Sequence, residues 1–170
     1  MNTILTYNQT SSFRYRLAEI LIEGLKINLA IKPLQFLFKK KVKNVRLALE
    51  KCPENSVGNS ILNMLNENNL DVIPFFENHD LKHLVLGYGM TSVEEIRMQA
   101  FLFGNGNRSF SCILFFLSGI LLPSAWNQFY LDFKKGKNAP DILNLSLKEC
   151  MNKSLSELKS KYEISFKNNY

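Results

Sequence analysis

A helix stop followed almost at once by a helix start lies at the middle of this chain. Gly87-Tyr88-Gly89 supplies the glycines that end a helix, and Thr91-Ser92-Val93-Glu94 supplies the Ser/Thr-x-x-Glu pattern of a capping box. A two-helix hairpin with a short turn is the arrangement these signals allow. The helix entering the turn carries His79-Asp80-Leu81-Lys82-His83, and the helix leaving it carries Glu95. His79 and His83, the only histidines in the chain, are four residues apart and share a helix face, with Asp80 on the neighbouring stripe. Glu95 arrives from the second arm. Such a hairpin can close around one divalent ion through imidazole nitrogens and carboxylate oxygens.

The remaining apolar spacing is helical nearly throughout. Ser11 or Ser12 caps an expected helix bearing Leu17, Ile20, Leu21 and Leu25, which Lys32-Pro33 interrupts. A second helix is expected over 34–51, ended by Pro53, and a third over 59–65. Beyond Gly104-Asn105-Gly106-Asn107 come a very apolar segment, a helix over 124–133, and a last helix capped by Ser154 with Glu157 at the box position. Strand-like alternation is scarce, so the expectation is an all-α, single-domain helical bundle over 1–170, flexible at 1–10 and 163–170.

The uncharged stretch from Ser109 to Leu131 is interrupted by Pro123 and contains Asn127 and Gln128, so it reads as core helix, not as a membrane span. With Phe129 and Tyr130, part of it alternatively lines an apolar groove. Twenty-one Lys and Arg against fifteen Asp and Glu give a net charge of +6, which favours anionic surfaces. The run Lys39-Lys40-Lys41-Val42-Lys43 behind Phe36-Leu37-Phe38 reads first as a solvated helix face, and second as a peripheral contact with an anionic membrane. No nucleic-acid recognition motif accompanies it. Cys52, Cys112 and Cys150 form no CxxC pair, which points to a reducing compartment. Without a signal or transit pattern at the N-terminus, the expected location is the bacterial cytoplasm.

The His-Asp-x-x-His pair of His79, Asp80 and His83, followed by Glu95, resembles the motif of the Coq4 family of ubiquinone-biosynthesis proteins. The surrounding residues 79–89, then Glu94-Glu95-Ile96 and Gln99-Ala100-Phe101, also look like that family's central hairpin. The stretch from Trp126 to Leu155-Ser156-Glu157-Leu158 is similar more loosely. The resemblance implies a divalent metal (zinc, iron, manganese or magnesium) on His79, Asp80, His83 and Glu95, with one carboxylate free to serve as acid or base. It implies oxidative removal of the C1 carboxyl group from a polyprenylated benzoic-acid precursor. Implied partners are that quinone precursor and other quinone-biosynthesis enzymes; a homodimer, and peripheral attachment to the inner face of the membrane through Lys39, Lys40, Lys41 and Lys43, are separate expectations. The competing reading is a lipid-binding scaffold that does no chemistry.

Other metal families fit less well. The pattern is not HExxH, so the glutamate of a zincin protease is missing. An HD-type phosphohydrolase would use His79-Asp80 but needs a further histidine upstream, and none precedes His79.

Overall fold

In the computed structural model the described residues are Ile20 and 32–162; the helix expected after Ser11 and both termini fall outside them. The described residues are helical, joined by turns. In order they form α1 (Lys32–Leu37), α2 (Lys39–Glu50), α3 (Val57–Glu67), α4 (Glu77–Leu86), α5 (Ser92–Gly104) and α6 (Phe110–Ser118). Two 3₁₀ turns, Gly119–Leu121 and Pro123–Ala125, lead into α7 (Trp126–Asn138), then α8 (Leu147–Cys150) and α9 (Leu155–Lys161). Among these residues the strand-like pairing is a single antiparallel bridge between Ser56 and Ser154. The fold is all-α.

Several boundaries follow from identifiable local chemistry. Ser56 caps α3, its hydroxyl accepting from the Asn59 amide at 3.2 Å, and this starts the helix two residues before its expected Asn59. The single helix expected over 34–51 is broken at Phe38, whose backbone leaves the helical region at φ −114° and ψ 33°. The Phe38 ring meets Phe75 edge-on at 5.0 Å, a tertiary contact that sequence periodicity does not encode. Ser154 stands at the start of α9 but makes no capping bond, and its hydroxyl meets Ser156 Oγ at 2.7 Å instead. The short α8 carries no periodic signal; the Leu147 amide at its start donates to Asn78 Oδ1 of α4 at 2.9 Å.

One core cluster joins α2, α3 and α4 to the C-terminal part through Leu49, Ile61, Leu65, Leu81, Val85, Leu147 and Leu158. Burying such a side chain contributes about 1.5–3 kcal/mol, so this cluster anchors the first arm of the hairpin. The second arm, α5, is held by two more clusters. Ile96 and Ala100 pack on Leu122, Ala125 and Phe129, while Met98, Phe101 and Leu102 pack on Leu86, Tyr88 and Ile142.

The α5–α7 pair is the most extensive helix contact, and two glycines make it close. A Cβ at Gly104 would collide with the Phe133 carbonyl, and one at Gly136 with the Phe101 carbonyl. At this crossing the helices pack backbone against backbone.

The apolar segment after Ser109 is core only in part. In α6, Cys112 is the buried residue, while Phe110 is 80% exposed and Leu114 and Leu117 are also exposed. Spaced at four and three, these side chains form a stripe on the exposed face of α6. Phe129 is buried and Tyr130 exposed. Among the described residues no single helix is long and apolar enough to cross a membrane; Phe110–Leu121 and Pro123–Asn138 have the composition only together, and they meet at 108°.

Candidate metal centre

The hairpin forms as its signals direct. Gly87 closes α4 in the left-handed region at φ 72°, its amide bonded to His83 O, a geometry that glycine adopts without Cβ strain. Thr91 caps α5, accepting from the Glu94 amide at 3.3 Å. The Glu94 carboxylate accepts from Gly89 N at 3.4 Å and from Arg97 at 2.6 Å, so it braces the turn as well as the helix start.

Folding the hairpin brings His79, His83 and Glu95 together, one ligand atom of each lying within 4.8 Å of the others. This group could hold a metal ion. His79 Nε2 lies 2.9 Å from Glu95 Oε1, and His83 Nε2 lies 3.1 Å from Glu95 Oε2. His83 and Glu95 are each 1% exposed, and His79 is half-buried. Asp80 is placed differently: buried, it faces the outer nitrogen of His79, with Oδ1 3.6 Å from Nδ1, and lies outside the three-residue cluster. His83 Nδ1 has its own acceptor, the Tyr88 carbonyl in the turn, at 3.2 Å.

This donor set can be tested for fit to a cation by counting protons. Three ring nitrogens lie within hydrogen-bond distance of an oxygen, His79 Nε2 and His83 Nε2 on the two ends of Glu95 and His83 Nδ1 on the Tyr88 carbonyl, while His79 Nδ1 stands 3.6 Å from Asp80. Two neutral imidazoles bring only two N–H groups, one short of these three contacts. With the protons on Nδ1, each Nε2 faces a Glu95 oxygen lone pair against lone pair, relieved at His79 only by the Gln99 amide nitrogen at 3.4 Å, unless something positive lies between them. An added proton fills the gap, and so does a cation. The residues fit a metal. Outward Nδ1–H groups held by a carboxylate or a carbonyl are the usual means of fixing the tautomer of a ligating histidine.

Electrostatics agree with this count. Burial works to lower the pKa of His79, but the Glu95 charge and the bonds to Asp80 and Glu95 outweigh it and raise the value to about 9. The same carboxylate charge that favours a positive imidazole also favours a cation placed among these groups.

Four residues that motif spacing does not flag complete the centre. Gln99, one turn after Glu95, donates to Glu95 Oε1 at 2.8 Å and fixes the carboxylate's rotamer; its i+4 position is a readable signal. Behind the turn, Arg97 Nε donates to Asp132 of α7 at 2.8 Å, and Asp132 is fully buried. Tyr88 joins the same group, its phenol pKa raised by burial first and by Asp132 next. These three lock the turn whose carbonyl orients His83. They are far apart in sequence, and no motif joins them.

A cavity of about 150 Å³ adjoins the cluster, lined by Phe76, His79, Lys82, Gln99, Leu102, Asn107 and Ser111. Burial lowers the Lys82 pKa from its ordinary value, against the opposing influence of Cys112 and Asp141.

Comparison with solved structures finds the same overall fold in another protein. A crystal structure from Nostoc punctiforme, of a protein named for an assigned role in ubiquinone biosynthesis, superposes with a TM-score of 0.55. The match covers 88% of this chain and 82% of the other. The two chains share a fold. Sequence identity is 16%. No protein-family model matches the chain, nor does any curated protein sequence.

Proposed function

We propose that this chain is a Coq4-like protein of ubiquinone biosynthesis, a metal-dependent enzyme that removes the C1 carboxyl group of a polyprenylated benzoic-acid precursor. The observation that carries the reading is the convergence of His79, His83 and Glu95 beside a cavity. Three protein ligands with room for another partner is the pattern of catalytic metal sites, whereas structural zinc sites are closed by four. The motif's resemblance and the shared fold supply the pathway.

His79 and His83 would hold the ion through Nε2 and Glu95 through its carboxylate, whereas Asp80 would keep the Nδ1 proton of His79 in place. Gln99 would restrain Glu95 from the other side. When bound, a divalent ion supplies Lewis-acid polarisation of a ligand oxygen, and iron would add redox capacity. In the reaction the bond from C1 to the carboxyl carbon breaks, carbon dioxide leaves, and the electron pair left on C1 takes up a proton from solvent. In the oxidative form an external oxygen-donating oxidant takes that pair and supplies the oxygen that replaces the carboxyl group. Phe76 and Leu102 offer apolar contact to the ring at the cavity wall.

An HD-type phosphohydrolase would require Asp80 to act as a ligand, and its place behind His79 argues against that. The second reading, a lipid-binding scaffold, draws on the exposed stripe of α6 and on the patch of Phe36, Leu37 and Phe38 beside Lys39, Lys40 and Lys43. That patch suits peripheral attachment, from the bacterial cytoplasm, to the inner face of an anionic membrane.

Elemental mass spectrometry on untagged, natively purified protein tests the metal. Near-stoichiometric iron, zinc or manganese that is lost in a folded Glu95→Ala variant is the expected result; no metal in either, even after reconstitution, overturns it. Rescue of a quinone-deficient strain that fails for His83→Ala favours the enzyme, and rescue by a folded metal-free variant favours the scaffold.

A further inference from the structure

We infer that Gln99 is a further ligand of the metal centre, turning its side-chain amide so that the carbonyl oxygen joins His79, His83 and Glu95 on the ion. The inference deepens the proposed function and rests on it for the presence of that ion. One turn after Glu95 on α5, the Gln99 side chain is buried and lines the cavity beside His79. Its Nε2 lies 2.8 Å from Glu95 Oε1 and 3.4 Å from His79 Nε2, and those two atoms lie 2.9 Å from each other. The end of the amide thus meets ligand atoms of two residues at once.

These separations are also those of neighbouring ligands. Two ligands set at a right angle on an ion, each at about 2.1 Å from it, stand about 3 Å apart. Hydrogen bonds share that spacing, so charge decides which end of the amide points inward. Towards a carboxylate oxygen and an imidazole lone pair the NH₂ group is the favoured end, because only it donates. A divalent ion held by the same two atoms reverses the preference, since it repels the NH₂ hydrogens and attracts the carbonyl oxygen. Exchange of the two ends needs only a turn about the last side-chain torsion, which is broad and roughly two-fold. The backbone need not follow, and the Gln99 carbonyl is tied separately to Cys112 Sγ at 3.5 Å.

The added ligand bears on which metal the centre takes. A side-chain amide oxygen is a hard, neutral donor of the kind that oxygen-seeking cations use. With two imidazoles and a carboxylate it makes a set of four, which closes a tetrahedral zinc ion but leaves a six-coordinate manganese or iron ion two positions for other ligands. Gln99 thereby passes from restraining Glu95 to sharing its ion, and it tilts the centre away from zinc.

The test is the water-proton relaxation of the manganese-loaded protein, which counts the exchangeable waters on the ion. Four protein ligands leave room for two waters, and Gln99→Leu should admit a third, raising the relaxivity per bound manganese about 1.5-fold. Gln99→Glu keeps an oxygen at the same place and should hold the wild-type value. Both variants lose the NH₂ donor, so a residue that only restrains Glu95 would change the two alike. Equal relaxivity in the two variants therefore overturns the assignment, as does an unchanged value in Gln99→Leu. Should Gln99→Leu not melt cooperatively, Gln99→Met, close to glutamine in volume, takes its place with the same expectation. Wild-type protein that takes up zinc and refuses manganese also overturns the ligand. Uptake of no metal at all overturns the proposed function along with it, whereas manganese bound with the same relaxivity in wild type and Gln99→Leu counts against Gln99 alone.

Discussion

The protonation of His79 gives the metal centre a pH signature whose size follows from its surroundings. In the metal-free chain the imidazole titrates at about 9, against 6.5 when free in solution, because Glu95 and Asp80 hold its charged form despite burial. A raised value in the folded state stabilises the fold fully below pH 6.5, and this stabilisation disappears as pH rises through about 9. The interval corresponds to about 3 kcal/mol. For a chain of this size that is a fall in melting temperature on the order of 6–12 °C between pH 6.5 and 9.5. Metal binding must displace the same proton, so affinity should climb about tenfold per pH unit up to 9, and the metal-loaded protein should gain relative stability over that range. Circular-dichroism melts from pH 6 to 9.5, with zinc and with chelator, would show the two curves diverging. A metal-free melting temperature that is flat or rises with pH would refute the argument, as would a His79→Gln variant that keeps the wild-type slope.

Gly136→Ala should destabilise the fold by about 1–3 kcal/mol, because the new methyl meets the Phe101 backbone carbonyl at the α5–α7 crossing, where neither helix can yield; urea denaturation would register it, and unaltered stability would mean that the crossing is looser than described. Asp80→Asn should weaken metal affinity about 10–100-fold while leaving the three ligands in place, since it removes only the charge behind His79 Nδ1, and competition with a chromogenic chelator would measure the change. Replacing Lys39, Lys40 and Lys43 with Glu should abolish sedimentation with vesicles containing phosphatidylglycerol, each lysine being worth about 1 kcal/mol at such a surface. Lys41 is left out of that variant because it already faces Glu77 at 3.6 Å and the ring of Phe75.

How far the sequence could be read depended on the range of the interaction. The hairpin was legible because its stop and start, Gly87 and Thr91, act within one turn of chain. Placing His79, His83 and Glu95 on its two arms then required only the helical repeat. Asp80 shows where that reasoning weakens. Adjacent to His79 in sequence, it points to the far nitrogen, because successive helical residues diverge by about 100° and cannot meet one ion from the same side. The break at Phe38 and the pinning of α8 by Asn78 depend on partners thirty-seven and sixty-nine residues away, beyond the reach of any local pattern. The apolar run after Ser109 misled for a different reason. Composition records that a helix is apolar, not whether a neighbour exists to cover it.

The connection between that long-range packing and the site runs through one carbonyl. His83 presents the Nε2 lone pair to the cluster when its proton sits on Nδ1, and the group that favours that form is the backbone oxygen of Tyr88 in the hairpin turn. A turn of exposed glycines would not hold that oxygen still. Tyr88 is instead buried at the junction of α5 and α7, where Asp132 draws in both its side chain and Arg97, and Arg97 also reaches back to Glu94 at the start of α5. The glycine contacts that let α7 approach α5 thus bring Asp132 within reach of the turn. Packing at the α5–α7 crossing thereby holds in place the acceptor that favours the Nδ1–H tautomer of His83.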